Sequence, residues 1–127
     1  MDTFDLRPAV LIVDDDEAFV RDASRALANA GYAVRMAVTY FDALDLLDRP
    51  EIPIDALITD VLLDKGNGFA LARVARFHRK RLKAIYVTAY DIASDEAIGP
   101  VLRKPVAPEA LVDAVRAAVG VRQADCA

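Results

Sequence analysis

The sequence predicts a doubly wound α/β domain, with a parallel five-stranded sheet covered by helices on both faces. Three observations carry this. Short β-branched blocks alternate with helical stripes along the chain. Three of the blocks are apolar almost throughout, as strands buried on both faces must be. No linker, internal repeat or low-complexity segment interrupts the alternation, and strands alternating with helices imply a parallel sheet.

The elements follow in order. "AVLIV" (9–13) is a buried strand, and Phe19, Ala23, Ala26, Leu27 and Ala30 form a helical stripe closed by Gly31. "GYAVRMA" (31–37) has strand length, but Arg35 interrupts it, which an edge strand tolerates. Leu44 and Leu47 mark a shorter helix that must stop before Pro50. "IDALIT" (54–59) is a second buried strand. Leu71, Val74, Ala75 and His78 form the next stripe, on a helix starting at Phe69 behind Asp64 or Asn67. "KAIYVT" (83–88) is the third buried strand, and "GPVLRKP" (99–105), with Arg103 and Lys104, is a second edge. Leu111, Val112, Val115, Ala118 and Val119 line the last helix, closed by Gly120. A single domain over 1–127 is expected, with its core at about 8–121 and a loose C-terminal tail.

Composition narrows the function. With 127 residues, 55% apolar, the chain can bury one good core. A net charge of −4 gives no general attraction to nucleic acid or anionic membrane, so a direct role on either is not expected. The single cysteine, Cys126, excludes an internal disulfide and suits a reducing compartment. The start, "MDTFDLRPAV", lacks a signal segment, and no stretch approaches membrane-spanning length. A cytoplasmic protein is expected.

In such sheets ligands bind at the carboxyl ends of the strands, and here four strand ends carry matching chemistry. The first ends in Asp14, Asp15, Asp16 and Glu17, the third at Asp60, the fourth at Thr88 with Ala89, the fifth at Lys104 with Pro105. Two carboxylates ~4 Å apart repel by about 4 kcal/mol at an effective dielectric of ~20, so the rim needs a cation. Lys104 offsets part of this. A hard divalent ion offsets more, and Mg²⁺ characteristically takes one or two carboxylates, waters and a phosphoryl oxygen. Asp60 can then be a nucleophile toward phosphorus, with Thr88 and Lys104 on the phosphoryl oxygens. Asp16 and Glu17 suit a helix start instead.

These residues resemble the receiver domain of two-component response regulators, over essentially the whole chain. The resemblance implies a flavodoxin-like sheet of strand order 2-1-3-4-5. It makes Asp60 the phosphoacceptor, charged by a histidine kinase or histidine phosphotransferase. It gives Mg²⁺ (or Mn²⁺) the ligands Asp14, Asp15, Asp60 and the backbone carbonyl of Leu62. Thr88, Ala89 and Lys104 become the phosphoryl-binding and switch residues, the Lys104–Pro105 bond is expected cis, and Gly68 matches the family's loop glycine. The family is a phosphoacceptor signalling module, not an enzyme in the ordinary sense.

Three positions depart from the family pattern. Asp64 stands where a proline is usual. Only "AYDIASDEAIGPVLR" separates Thr88 from Lys104, which leaves the fourth helix two turns or fewer. Val101 occupies the place of the aromatic switch residue, and Tyr90 is the candidate to replace it. Leu62 and Tyr90 flank the acceptor in the family. Both are bulky and neither is a good base, so slow autodephosphorylation is expected; a lifetime of seconds in Mg²⁺ would contradict it.

Only "VRQADCA" follows the last helix, so a stand-alone receiver acting through an unknown output protein is expected, with room for a homodimer. The alternative is a receiver-like adaptor that works without phosphorylation. A haloacid-dehalogenase-type phosphatase would need an acid where Leu62 stands. A flavin carrier would not place "DDDE" against its phosphate.

Overall fold

The computed structural model describes residues 7–92 and 95–120. The elements are β1 (Ala9–Val13), α1 (Glu17–Asn29), β2 (Ala33–Ala37), α2 (Tyr40–Leu47), β3 (Ala56–Asp60), a small hairpin of β4 (Leu62–Leu63) and β5 (Gly66–Asn67), α3 (Gly68–His78), β6 (Lys83–Thr88), β7 (Val101–Arg103) and α4 (Pro108–Val119). The main sheet is parallel throughout, in the order β2-β1-β3-β6-β7. Setting the hairpin aside, this is the predicted order 2-1-3-4-5. The two edges are β2 and β7, the strands that carry Arg35 and Arg103.

Local signals account for the helix limits. Asp16 caps α1, its side chain accepting from the Phe19 N–H, and Gly31 just past the end adopts φ +102°. Thr39 caps α2 and Asn67 caps α3, which fixes the start of α3 that the sequence left between two candidates. Pro108 opens α4, where its missing N–H costs nothing.

Strand alternation divides the core in two. Leu11, Val13, Leu57 and Tyr86 pack beneath α2 and α3 with Leu47, Phe69 and Leu71. Val10, Ile12, Ile58 and Val87 pack beneath α1 and α4 with Val20, Leu27, Leu111 and Val115. Among the described residues, no helix is long and apolar enough to cross a membrane.

The shortening of the fourth helix goes further than two turns. The described residues between Thr88 and Val101 form turns and bends with no helix. Ile92, Ala97 and Ile98 still pack against the core beneath α2 and α3. The Ile98 N–H donates to the Tyr86 hydroxyl at 3.3 Å, and a Cβ on Gly99 would collide with the Ala84 carbonyl. These residues lead straight into β7, which pairs with β6 from Tyr86 and Val101 onward, so the chain reaches the sheet edge with no helix among the described residues. Cys126 and the expected tail lie outside the described residues.

Candidate functional site

Parallel register delivers the strand ends to one rim. Val13 pairs with Thr59, Asp60 with Val87, and Thr88 with Arg103, so the residues that follow β1, β6 and β7 emerge beside the end of β3. Lys104, one residue past β7, lays its Nζ 2.7 Å from Asp14 Oδ2 and 3.4 Å from Asp60 Oδ2. Residues 46 and 90 positions away from Asp14 in sequence thus meet around one ammonium.

Each partner is held. Asp14 is 1% exposed, and its other oxygen accepts from the Asp16 N–H at 2.9 Å. Asp60 Oδ1 accepts from the Leu62 N–H at 3.2 Å. Thr88 is buried; its Oγ accepts from the Tyr90 N–H at 3.1 Å, and its carbonyl accepts from the Lys104 N–H at 2.7 Å. The Lys104–Pro105 peptide bond is cis. Gly68 is required where it stands, because a Cβ there would strike the Asp60 carbonyl. That contact explains the glycine behind the acid: the loop returns across the backbone of the residue it serves.

The electrostatics follow from the geometry. Burial pushes the Asp60 carboxyl above its usual range and the charge of Asp14 adds to this, against the pull of the Leu62 N–H and Lys104. Burial draws the Lys104 ammonium down, but the hydrogen bond and charge of Asp14 and the charge of Asp60 outweigh it, so its pKa ends raised.

Not every expected residue joins the cluster. Asp15 is exposed, and among the described residues no three His, Cys, Asp or Glu side chains converge closely enough to hold a metal ion. The central group is two carboxylates and an ammonium. This donor set nevertheless fits a hard divalent cation, since it is all oxygen, net negative and already arranged around a positive charge. Ala89, Leu62, Tyr90 and Val101 are exposed at the rim and on β7, Leu62 by 51% and Tyr90 by 60%.

Two neighbours are absent from the sequence reading. The Lys104 ammonium stands 4.7 Å from the centroid of the Phe19 ring, which its helical spacing marked only as core. Arg103 donates to the Ala89 carbonyl at 3.2 Å and lies 3.7 Å from Asp91, tying the residue after Thr88 to β7. Neither has a signal in sequence, because both are contacts between separate elements.

Residues 10–116 match the family model described as the response regulator receiver domain. The chain belongs to the response regulator receiver domain family. This receiver domain is 34% identical over 116 residues to the response regulator MprA of Mycobacterium avium, covering 85% of this chain and 49% of that protein. MprA of Mycobacterium tuberculosis matches to the same extent. The receiver domain thus spans about half the length of the curated relatives it matches. Among solved structures, a receiver domain protein from Methanospirillum hungatei has a TM-score of 0.80 at 26% identity, covering 87% of this chain and 92% of its own. The non-phosphorylated HemR receiver domain of Leptospira biflexa has 0.78 at 26%, covering 89% and 94%. Receiver domains are signalling domains, and as a family they bind Mg²⁺ at the phosphorylation site.

Proposed function

We propose that this receiver accepts a phosphoryl group on Asp60 from a histidine kinase or histidine phosphotransferase in the cytoplasm, in a Mg²⁺-dependent reaction, and signals through an output partner. The chain is then a single receiver unit whose folded core runs from about residue 8 to the end of the described residues. The observation that carries the reading is the Lys104 ammonium shared between Asp14 and Asp60.

An Asp60 carboxylate oxygen attacks phosphorus in line with the phosphohistidine nitrogen. A P–O bond forms and the P–N bond breaks, its electron pair staying on the imidazole nitrogen, which takes up a proton. Because the developing charge sits on the phosphoryl oxygens, catalysis is positioning plus charge compensation. Lys104 swings from the carboxylates to one of these oxygens, while the Thr88 hydroxyl and the Ala89 N–H serve others. Asp14, Asp15, Asp60 and the Leu62 carbonyl would hold Mg²⁺, which when bound supplies charge neutralisation at the phosphoryl group.

Acyl phosphate on Asp60 adds about −1.5 to −2 charges where one carboxylate stood. Thr88 carries that change outward, since its hydroxyl already holds the Tyr90 N–H. With Val101 at the usual aromatic position, Tyr90 is the side chain placed to report it, beside a segment pinned by Arg103.

The test is incubation with acetyl phosphate and Mg²⁺ followed by intact mass measurement. A single phosphoryl adduct is expected on the wild type and none on Asp60→Asn. An unmodified wild type would instead favour the phosphorylation-independent adaptor.

A further inference from the structure

The geometry points to a second copy of this chain as the occupant of the face formed by α2 and α3. Phe77 is 80% exposed and Phe41 62%, the two most exposed large apolar side chains among the described residues. Between the helices runs a groove of about 400 Å³ whose floor is Phe41, Leu44, Leu47 and Val74, with His78 at the α3 side and Asp45 and Asp48 at the α2 side. An apolar cavity of ~150 Å³ accepts a benzene ring, so this groove has room for a phenylalanine. Phe77 adjoins the lining residue His78, its ring meeting that of His78 edge-on at 5.4 Å. Exposed aromatics beside an apolar groove are the composition of a protein-binding hot spot.

Charge decides which partner. Residues 40–51 hold Asp42, Asp45, Asp48 and Glu51 against Arg49 alone. Residues 68–83 hold six cations and no acid. Of those cations, Arg76 and Arg79 are committed to backbone carbonyls, and Arg73 lies 3.8 Å from Glu96. Lys80 and Arg81 are exposed just past α3, as are Asp48 at the C-cap of α2 and Asp45 on it, the latter sharing its charge with Arg49 at 3.0 Å. The face is therefore negative on one side, positive on the other and apolar between. A two-fold axis through such a face lays the acidic half of each copy on the basic half of the other, and seats each Phe77 in the partner's groove. An unrelated protein would have to reproduce the same bipolar layout.

The surface contains none of Asp60, Thr88 or Lys104, so the association stands or falls separately from phosphorylation. Sedimentation velocity on the full chain tests it. The wild type should show concentration-dependent dimerisation, and Phe77→Asp should weaken it by about tenfold or more, with circular dichroism unchanged. One variant carrying Asp45→Lys and Asp48→Lys, and another carrying Lys80→Glu and Arg81→Glu, should each be monomeric alone and should dimerise when mixed. A wild type that stays monomeric at millimolar concentration overturns the inference. So does a dimer that survives Phe77→Asp, or a mixture of the reversed variants that stays monomeric.

Discussion

Tyr86 shows how one side chain joins the site's scaffold to the segment that replaces a helix. It is fully buried on β6, its ring 4.9 Å from that of Phe69, and its hydroxyl accepts from the Ile98 N–H. Burial pushes its pKa up, with the Ile98 bond and nearby arginines pulling the other way. A phenol whose folded pKa is raised contributes stability that is complete below the unfolded value of ~10 and is lost as pH rises through the folded value. Urea unfolding between neutral pH and pH ~11 should therefore show stability falling at the alkaline end. Tyr86→Phe should flatten that fall. It should not remove it, because burial also raises Tyr32. An equally steep alkaline loss in the variant would rule the account out. Asp60 obeys the same sign at acid pH: with its carboxyl raised by burial and by Asp14, ionisation works against the fold. The acceptor is thus held at a cost, which Lys104 reduces.

Among elements, α2 depends on a residue outside it. This eight-residue helix is too short to be stable alone. Its last carbonyls and those of the turn after it need donors, and Arg79, just past α3, supplies them. The guanidinium donates to the carbonyls of Ile52 and Arg49 at 2.5 and 2.7 Å, and to that of Leu47 at 3.3 Å. Arg79→Met keeps the apolar stem and removes these charged donors. It should cost about 2 kcal/mol of unfolding free energy, the scale of hydrogen bonds to a charged group. A chemical denaturation curve coincident with the wild type would show that water substitutes for the guanidinium. The β6–β7 segment is the opposite case. It has lost its helix and keeps its cover over the sheet through Ile92, Ala97 and Ile98, with Gly99 pressed against the Ala84 carbonyl.

For the whole molecule, the main linkage is between folding and the rim, which assembles only when β1, β3, β6 and β7 are in register. An ion that binds this rim and not the unfolded chain stabilises the fold by mass action, by about 2.7 kcal/mol at a hundred times its dissociation constant. Adding Mg²⁺ should accordingly raise the urea midpoint, and chelation should return it. Asp60→Asn should blunt the gain. No shift on adding Mg²⁺ would mean that the rim does not take the ion in the unphosphorylated state. The main features of this architecture are present in the sequence. Buried strands read as unbroken β-branched runs, edge strands admit Arg35 and Arg103, and caps such as Asp16 and Gly31 act within a turn of themselves. The chemistry of the strand ends is equally local, so Asp14, Asp60, Thr88 and Lys104 could be singled out before any contact was known. Periodicity reports whether a residue is buried, not what it touches. Sheet register and interhelical packing alone decided that Asp14 and not Asp15 takes the ammonium, and that Phe19 lies beneath it. They also decided that no helix separates β6 from β7 among the described residues, and that Phe41 on α2 and Phe77 on α3 are left exposed.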